Sequence, residues 1–244
     1  MTRRFGAVTA VDAVDLTIAP GSFVALVGES GSGKSTLLRA INRLDESAAR
    51  GGRVTIGDED VAATSLTQLR RRIGYVFQSI GLFPHMTVAG NVGIGRRVRG
   101  ETLGESEIAM LLEQVGLPVD FVGRMPRELS GGQAQRVGIA RALAIEPEIL
   151  LLDEPFAALD PVTRNALGKT VRALHDARGL TTILVTHDMA EAMLLADRVI
   201  VLAHGRIVAD ATPADLAAGR GGAEAEALVA IPREQARRIA ELGG

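Results

Sequence analysis

The most informative part of the sequence is a glycine-rich loop, Gly28-Glu29-Ser30-Gly31-Ser32-Gly33-Lys34-Ser35, which Thr36 follows. It reads G-x-x-x-x-G-K-S and lies between an apolar run at residues 23–27 and a helical pattern at residues 36–41. Glycines let the backbone wrap around a phosphate with its N–H groups pointing inward, and the helix adds its positive end. Lys34 would reach the outer phosphates, and Ser35 would hold Mg²⁺. The loop therefore predicts a nucleoside triphosphate site, against the alternative of an ordinary turn rich in Gly and Ser.

The composition limits the classes of protein to which the chain can belong. A length of 244 residues, with 47% hydrophobic and 23% charged residues, is typical of a soluble globular protein with one sizeable core. A net charge of −2 does not favour nucleic acid as a partner. The lack of cysteine excludes disulfides and thiolate metal sites and fits a reducing cytoplasm. No apolar run approaches the ~20 residues of a membrane-spanning helix, so a membrane role requires a partner.

Apolar runs that alternate with helical patterns predict an α/β fold with a buried parallel sheet. Strand patterns occur at residues 53–56, 73–77, 149–152, 182–186, 199–202 and 207–209. Helical patterns follow the glycine-rich loop and then occur at residues 105–115, 132–144, 161–177 and 189–196. Gly205 lies between the last two strand patterns and predicts a hairpin there.

The same patterns predict how the chain is divided. Residues 84–144 are helical in pattern, without a clear strand, and predict a subdomain inserted into a core formed by residues 1–83 and 145–210. Residues 211–244 are rich in Ala, Gly and Glu. They predict a short helical tail that packs weakly.

Two carboxylates, Asp153 and Glu154, directly follow the apolar run at residues 149–152. A buried strand presents its carboxylates at its C-terminal edge, where open α/β sheets bind ligands. Asp153 would orient Mg²⁺ through its water shell, and Glu154 would activate the attacking water. The alternative is a pair of solvated acids at a strand end.

The stretch Leu129-Ser130-Gly131-Gly132-Gln133 opens the helical pattern at residues 132–144. Its serine and glycines form a second helix N-terminus with accessible N–H groups, which is another anion site. The chain has one phosphate loop, so this second site would serve a nucleotide held by another copy. Here the chain resembles the ATP-binding cassette family, whose signature motif is LSGGQ. The resemblance implies that two copies pair head to tail, with each ATP between one phosphate loop and the partner's signature.

Four further residues match family positions one by one. Gln78 resembles the glutamine that contacts Mg²⁺ and the attacking water, and Asp160 belongs to a loop that crosses the dimer interface. His187 resembles the histidine that contacts the γ-phosphate; the alternative is an ordinary surface residue. Phe5 resembles the aromatic residue that stacks on adenine, against the alternative of a frayed or core residue. The resemblance covers about residues 5–210.

The resemblance implies an α/β P-loop NTPase (RecA-like) core, with an N-terminal antiparallel β part and the inserted helical subdomain. The ATPase domain would comprise residues 1–210. The chain would bind ATP and Mg²⁺ and hydrolyse ATP with Lys34, Gln78, Glu154 and His187 as the catalytic set. It would act as the energy-coupling subunit of a bacterial importer, peripheral on the cytoplasmic face of the plasma membrane. Its partners would be membrane permease subunits, a second ATPase copy, identical or not, and indirectly a solute-binding protein.

Residues 81–88 follow Gln78 and contain Phe83 and Met86. In the family this region receives the permease, so we expect Phe83 and Met86 to contact it; the alternative is that they pack in the core. Residues 78–92 and 232–238 are loosely similar to importers of osmoprotectants such as glycine betaine, choline and carnitine. Import of another solute stays open, and so does a soluble ATPase of the same type in DNA repair or translation.

The beginning of the chain departs from the family pattern. Met1–Arg4 is too short and too basic to be expected as the strand that anchors Phe5. We therefore expect either that Met1 is not the natural start or that the first edge strand is lost. In both cases the residues before Val11 should fray.

Overall fold

The structure, a computed structural model, describes residues 1–45 and 49–242, which divide into two units, Met1–Ser65 with Ile183–Gly244 and Leu66–Thr182. The strands, in chain order, are β1 (Thr2–Phe5), β2 (Val8–Val11), β3 (Phe23–Val27), β4 (Ala49–Gly51), β5 (Thr55–Ile56), β6 (Glu59–Asp60), β7 (Ile73–Val76), β8 (Ile149–Asp153), β9 (Thr181–Thr186), β10 (Arg198–Ala203) and β11 (Arg206–Ala211). The α-helices are α1 (Lys34–Ile41), α2 (Leu66–Arg71), α3 (Val88–Arg97), α4 (Glu105–Gln114), α5 (Gly131–Leu143), α6 (Pro161–Arg178), α7 (Met189–Leu195), α8 (Pro213–Ala217) and α9 (Ala223–Leu242). Two 3-10 turns, Val119–Gly123 and Pro126–Glu128, precede α5.

The first unit is built on a sheet with the strand order β11-β10-β3-β9. β3 pairs in parallel with β10, with Ala25 opposite Val199, and β10 pairs antiparallel with β11. Every residue of β3 is buried, which its continuous apolar sequence predicts. Gly205, at φ +77°, lies in the turn between β10 and β11, so the predicted hairpin is confirmed.

The beginning of the chain forms a strand, contrary to the expectation from its sequence. β1 lies between β2 and β4 in an antiparallel sheet. The amino group of Met1 donates to the Val14 carbonyl, and the Val14 N–H donates to the Met1 carbonyl at 2.9 Å. A short strand that pairs on both sides has its backbone groups satisfied. The prediction that the residues before Val11 fray was therefore wrong.

The second unit contains a parallel pair and a helical insertion. β7 pairs with β8, with Tyr75 opposite Leu151. Residues 84–144, all of which the structure describes, hold α3, α4, α5 and the two 3-10 turns and contain no strand. This confirms the helical insertion of the predicted fold class.

The sequence pattern does not single out α3, because three of its ten residues are glycine and glycine disfavours helix. Tertiary packing overrides this preference. Val88 and Val92 are fully buried, and the side chain of the N-cap residue Thr87 accepts a hydrogen bond from the N–H of Gly90.

The C-terminal segment contains α8 and the 20-residue helix α9. Ala225 and Val229 of α9 are buried, so this helix is longer and better packed than the composition suggests. Residues 243 and 244 of the predicted tail lie outside the described residues. Among the described helices, none is long and apolar enough to cross a membrane.

Candidate functional site

The glycine-rich loop of the first unit joins β3 to α1, and its backbone packs closely against two neighbouring strands. A Cβ at Gly33, which has φ +102°, would lie 2.2 Å from the carbonyl oxygen of Ala10 in β2. A Cβ at Gly28, which has φ +152°, would lie 2.1 Å from the carbonyl oxygen of Leu202 in β10. Both positions therefore require glycine, for space as well as for backbone conformation.

Lys34 is buried within the loop, and its Nζ donates to the carbonyl oxygens of Gly28 and Glu29, both at 2.7 Å. α1 begins at Lys34, and its N-cap residue Gly33 has no side chain that could bond the first N–H groups. Ser35 is half-buried in the first turn. A positive helix end, an ammonium group and a hydroxyl within two residues fit the phosphates of a nucleotide and a coordinated Mg²⁺.

We expect the exchange Gly33→Ala to destabilise the first unit by about 2 kcal/mol or more beyond Gly31→Ala. Gly31 also has a positive φ, +81°, but a Cβ there would meet open space. The two variants share the backbone cost of a left-handed alanine, and only Gly33→Ala adds the contact with Ala10. The midpoint of urea unfolding measures the difference, and equal losses of stability would contradict the close approach.

The turn between β10 and β11 supports the loop from a distant part of the sequence. The Gly205 N–H donates to the Ser32 carbonyl at 3.1 Å, and the Gly205 carbonyl accepts from the Asp12 N–H at 2.8 Å. The sequence predicts the hairpin but not this contact, because backbone hydrogen bonds between distant segments leave no pattern in residue types.

Asp153 ends β8 in the second unit, and 1% of its surface is exposed. The Tyr75 hydroxyl on the neighbouring strand β7 donates to Asp153 Oδ2 at 3.0 Å. A buried carboxylate needs such a donor, and the bond fixes the direction in which the second oxygen points. Sequence reasoning missed Tyr75; the available signal was the one tyrosine of the chain, in the strand pattern at residues 73–77.

Glu154 and Gln78, which the resemblance assigns to hydrolysis, lie together in the second unit. The Gln78 Nε2 donates to Glu154 Oε2 at 3.3 Å. Glu154 also has φ +47°, a conformation that costs a non-glycine residue about 1–3 kcal/mol. A strained backbone at a carboxylate that shares a hydrogen bond with a second polar side chain supports a functional role for this residue.

The signature stretch forms a capping box at the start of α5. The Ser130 Oγ accepts from the Gln133 N–H at 3.3 Å, and the Gln133 Oε1 accepts from the Ser130 N–H at 2.9 Å. The S-x-x-Q spacing carries this signal in the sequence. A Cβ at Gly132 would lie 2.7 Å from Thr163 Cγ2, whereas one at Gly131 would meet open space. Gly131 therefore presents the accessible surface of the motif, and Gly132 packs against α6.

Asp160 is the N-cap residue of α6. Its Oδ1 accepts from the N–H groups of Val162 at 3.1 Å and Thr163 at 3.0 Å. The hydrogen bonds from Thr163 hold the pKa of Asp160 below its ordinary value. The capping of α6 is a structural role that accounts for an aspartate at position 160, so the role of Asp160 across a dimer interface stays a prediction.

The remaining predicted residues lie in the first unit. His187 is exposed directly after β9, and Asp188 beside it caps α7 by accepting from the Ala190 N–H at 2.8 Å. The cap positions the residue after His187, so the histidine ring lies at the junction of a buried strand and a fixed helix. Phe5 ends β1, and 37% of its surface is exposed. An exposed ring on a paired strand suits stacking, and both assignments stay predictions.

The units carry the two kinds of group that define P-loop NTPases: a phosphate loop with its lysine, and adjacent carboxylates at the end of a buried strand. Residues 11–157 match the family described as ABC transporter. The chain belongs to the ABC transporter family.

Curated relatives are ATP-binding proteins of import systems. The sulfate/thiosulfate import ATP-binding protein CysA of Mycobacterium bovis is 48% identical over 217 residues, which are 88% of this chain and 60% of the relative. The glycine betaine uptake system ATP-binding protein YehX of Escherichia coli is 44% identical, over 87% of this chain and 69% of the relative. The glycine betaine/carnitine/choline transport ATP-binding protein OpuCA of Bacillus subtilis is 44% identical, over 86% of this chain and 56% of the relative. The chain thus spans 60% of the length of the CysA relative.

A solved structure shares the fold. The ATP-binding cassette MJ0796, in a dimeric post-hydrolysis state bound to ADP and Pi, is 36% identical with a TM-score of 0.78. The match covers 87% of this chain and 95% of that one.

Proposed function

We propose that this protein is the ATP-hydrolysing, energy-coupling subunit of a bacterial ABC importer. The observation that supports the proposal most directly is the hydrogen bond between Gln78 and Glu154, because it joins the two side chains proposed to handle the attacking water. A chain that only bound a nucleotide would not need this pair.

Different residues bind the different parts of the nucleotide. The loop N–H groups and Lys34 hold the phosphates, and Phe5 stacks on the adenine. Mg²⁺, when bound, neutralises charge on the phosphates. Ser35, Gln78 and Asp153 are its proposed ligands, directly or through water. Among the described residues no group of three or more His, Asp or Glu forms a metal cage, which suits a Mg²⁺ that takes most of its ligands from phosphates and water.

Hydrolysis requires a base, a positioned water and stabilisation of charge on the transferred phosphoryl group. Glu154 is the proposed base, and Gln78 orients its carboxylate. His187 contacts the γ-phosphate. Ser130 and Gly131 supply the N-terminus of α5 to the nucleotide of a second copy. The dimeric state of the related cassette supports this pairing.

The proposed permease contact is the exposed part of the loop between β7 and α3. Phe83 exposes 41% of its surface, and its ring meets the ring of His85 edge-on at 6.0 Å between centroids. Met86 is half-buried against α3, where its Sδ accepts from Arg97 at 3.6 Å. An exposed aromatic residue on a fixed loop suits a partner contact, whereas Met86 serves partly as packing. This contact would hold the chain at the cytoplasmic face of the plasma membrane.

The proposed solute class is an osmoprotectant such as glycine betaine, supplied by a solute-binding protein. YehX and OpuCA, by their names, serve this class. The second candidate is an inorganic oxyanion, because CysA is named for sulfate and thiosulfate. A soluble ATPase without a permease is the alternative from another class.

We expect Phe83→Ser to leave ATP hydrolysis by the purified chain unchanged and to lower solute uptake with the permease about 10-fold or more, as truncation of an interface anchor does. The assay is uptake of labelled glycine betaine and, separately, labelled sulfate by vesicles that contain the permease. Met110→Ser is the matched control, since Met110 exposes 58% of its surface on α4. Normal uptake by the Phe83 variant would contradict the contact, and no stimulation of the wild-type ATPase by any permease would contradict the importer itself.

A further inference from the structure

The signature helix, α5, contacts the loop at residues 80–87, which carries Phe83. Arg141 projects from α5 to this loop. Its Nη1 donates to the Gly81 carbonyl at 2.7 Å, and its Nη2 donates to the Ile80 carbonyl at 3.1 Å. The helix that begins with the signature motif is therefore joined directly to the loop of the proposed permease contact.

Arg141 is held in a setting where loss of these bonds is costly. Burial lowers the pKa of the Arg141 guanidinium, which nevertheless stays charged at neutral pH. A partly buried cation is stabilised when its donors are satisfied, and two backbone carbonyls supply acceptors here. The planar fork of arginine holds two separate N–H donors in a fixed geometry toward the two carbonyls, whereas a lysine ammonium is a single nitrogen on a flexible stem.

A different side chain determines the internal shape of the loop. Asn91 in α3 is fully buried, and its Oδ1 accepts from the Phe83 N–H at 2.7 Å. Its Nδ2 donates to the carbonyls of Phe83, Met86 and Thr87, each at 3.1 Å. The loop thus keeps its form through Asn91 and its connection to α5 through Arg141.

α5 itself is fixed at both ends. Its N-terminus is closed by the Ser130–Gln133 capping box. At its C-terminal end the carbonyl of Leu143 accepts from Arg178 at 3.3 Å, and that of Ala144 accepts from Arg96 at 2.8 Å. A helix so held transmits a displacement at its first turn along its whole length.

We infer that Arg141 is a positioning residue that makes the 80–87 loop follow the signature helix, so that ATP-driven closure of the dimer moves the permease contact. This inference rests on the proposed importer function. The hydrogen bonds from Arg141 to the carbonyls of Ile80 and Gly81 connect the loop to α5, and the capped helix transmits the displacement to the loop. Arg141 itself contacts neither nucleotide nor permease in this scheme.

The test uses Arg141→Met, which keeps the apolar stem of the side chain and removes the guanidinium, and Arg141→Lys, which keeps the charge without the fork. Arg136→Met is the matched control. Arg136 lies on the same helix, but its Nη1 donates to the Val115 carbonyl at 2.5 Å, at the end of α4. Both arginine-to-methionine variants remove a guanidinium that bonds a backbone carbonyl, and only Arg141→Met removes hydrogen bonds between α5 and the loop.

We expect Arg141→Met to keep the ATPase rate of the purified chain and to lose about 10-fold or more of its stimulation by the permease, the size expected for losing hydrogen bonds of a charged group. Arg141→Lys should lose less, and Arg136→Met should keep the stimulation. Thermal unfolding of all three variants measures the structural cost. Normal stimulation of folded Arg141→Met would overturn the inference.

A distance measurement gives a readout that does not depend on transport. The chain has no cysteine, so the exchanges His85→Cys and Arg127→Cys allow paired spin labels on the loop and just before the signature. Both residues are exposed in the second unit. With Arg141 present we expect one narrow distance distribution that ATP leaves unchanged, and with Arg141→Met a broader one that shifts on closure. Equal distributions in both proteins would overturn the link, whereas a wild-type chain without permease-stimulated ATPase would instead refute the importer.

Discussion

Replacing Glu154 with Gln is expected to slow ATP hydrolysis by about 10²–10⁴-fold, roughly 3–5 kcal/mol of barrier, without loss of ATP binding. The amide cannot accept a proton from water, but it has the same shape and can still accept the hydrogen bond from Gln78. The backbone of residue 154 already holds its φ of +47°, so the exchange adds no new strain. Phosphate release and binding of a fluorescent ATP analogue measure the two effects.

The same variant should hold two copies together in the presence of ATP, because the nucleotide is no longer consumed. Light scattering would then report a dimer, and removal of ATP would return the monomer. Glu113→Gln is the matched control, an exposed carboxylate on α4 of the same unit. A Glu154 variant that hydrolyses ATP at the control rate would exclude this residue as the base.

Placing Asp at Gly131 is expected to lower ATP turnover by about 10²-fold or more and to leave ATP binding to a single copy intact. Gly131 is the first residue of α5, and its Cβ would meet open space, so the added carboxylate would face the γ-phosphate of a partner's ATP. An acidic residue in the first turn stabilises a helix. Unfolding of α5 therefore cannot explain a loss of turnover. The measurement is ATPase rate against protein concentration, together with nucleotide binding at high dilution.

Two other glycines serve as comparison positions for this experiment. Gly132 is the poorer position for a test, because a side chain there would collide with Thr163 and disturb packing as well as charge. Gly123 lies in a 3-10 turn with open space around its Cβ, and Gly123→Asp controls for the added charge. Weaker ATP binding to the isolated Gly131 variant would mean that the signature acts on the chain's own nucleotide.

The sequence predicts those parts of the site in which the local backbone conformation requires a particular residue type. Gly28 and Gly33 are required by a backbone path that no other residue follows, and Ser130 with Gln133 is required by the start of a helix. Such requirements involve residues that are close in the chain, so they can be recognised in the sequence. The fold class follows from the same kind of signal, the continuous apolar strands that end at the functional residues.

The parts that the sequence does not predict are held by partners far along the chain. Tyr75 and Asp153 meet only because β7 and β8 are neighbours, and Arg141 reaches the Gly81 carbonyl across a helix–loop contact. The error at the beginning of the chain has the same origin. Four residues look too few for a strand when taken alone, but β1 pairs on both of its edges.

The support that the β10–β11 turn gives to the phosphate loop bears on how the protein is made. During translation the loop leaves the ribosome before Gly205, which donates to the Ser32 carbonyl, and before β10, against which Gly28 packs. A nascent chain that ends before β10 contains all the residues of the glycine-rich loop but lacks β10 and the β10–β11 turn, which support the loop. Nucleotide recognition is therefore acquired only after β10 and the β10–β11 turn have been synthesised and have joined the sheet of the first unit.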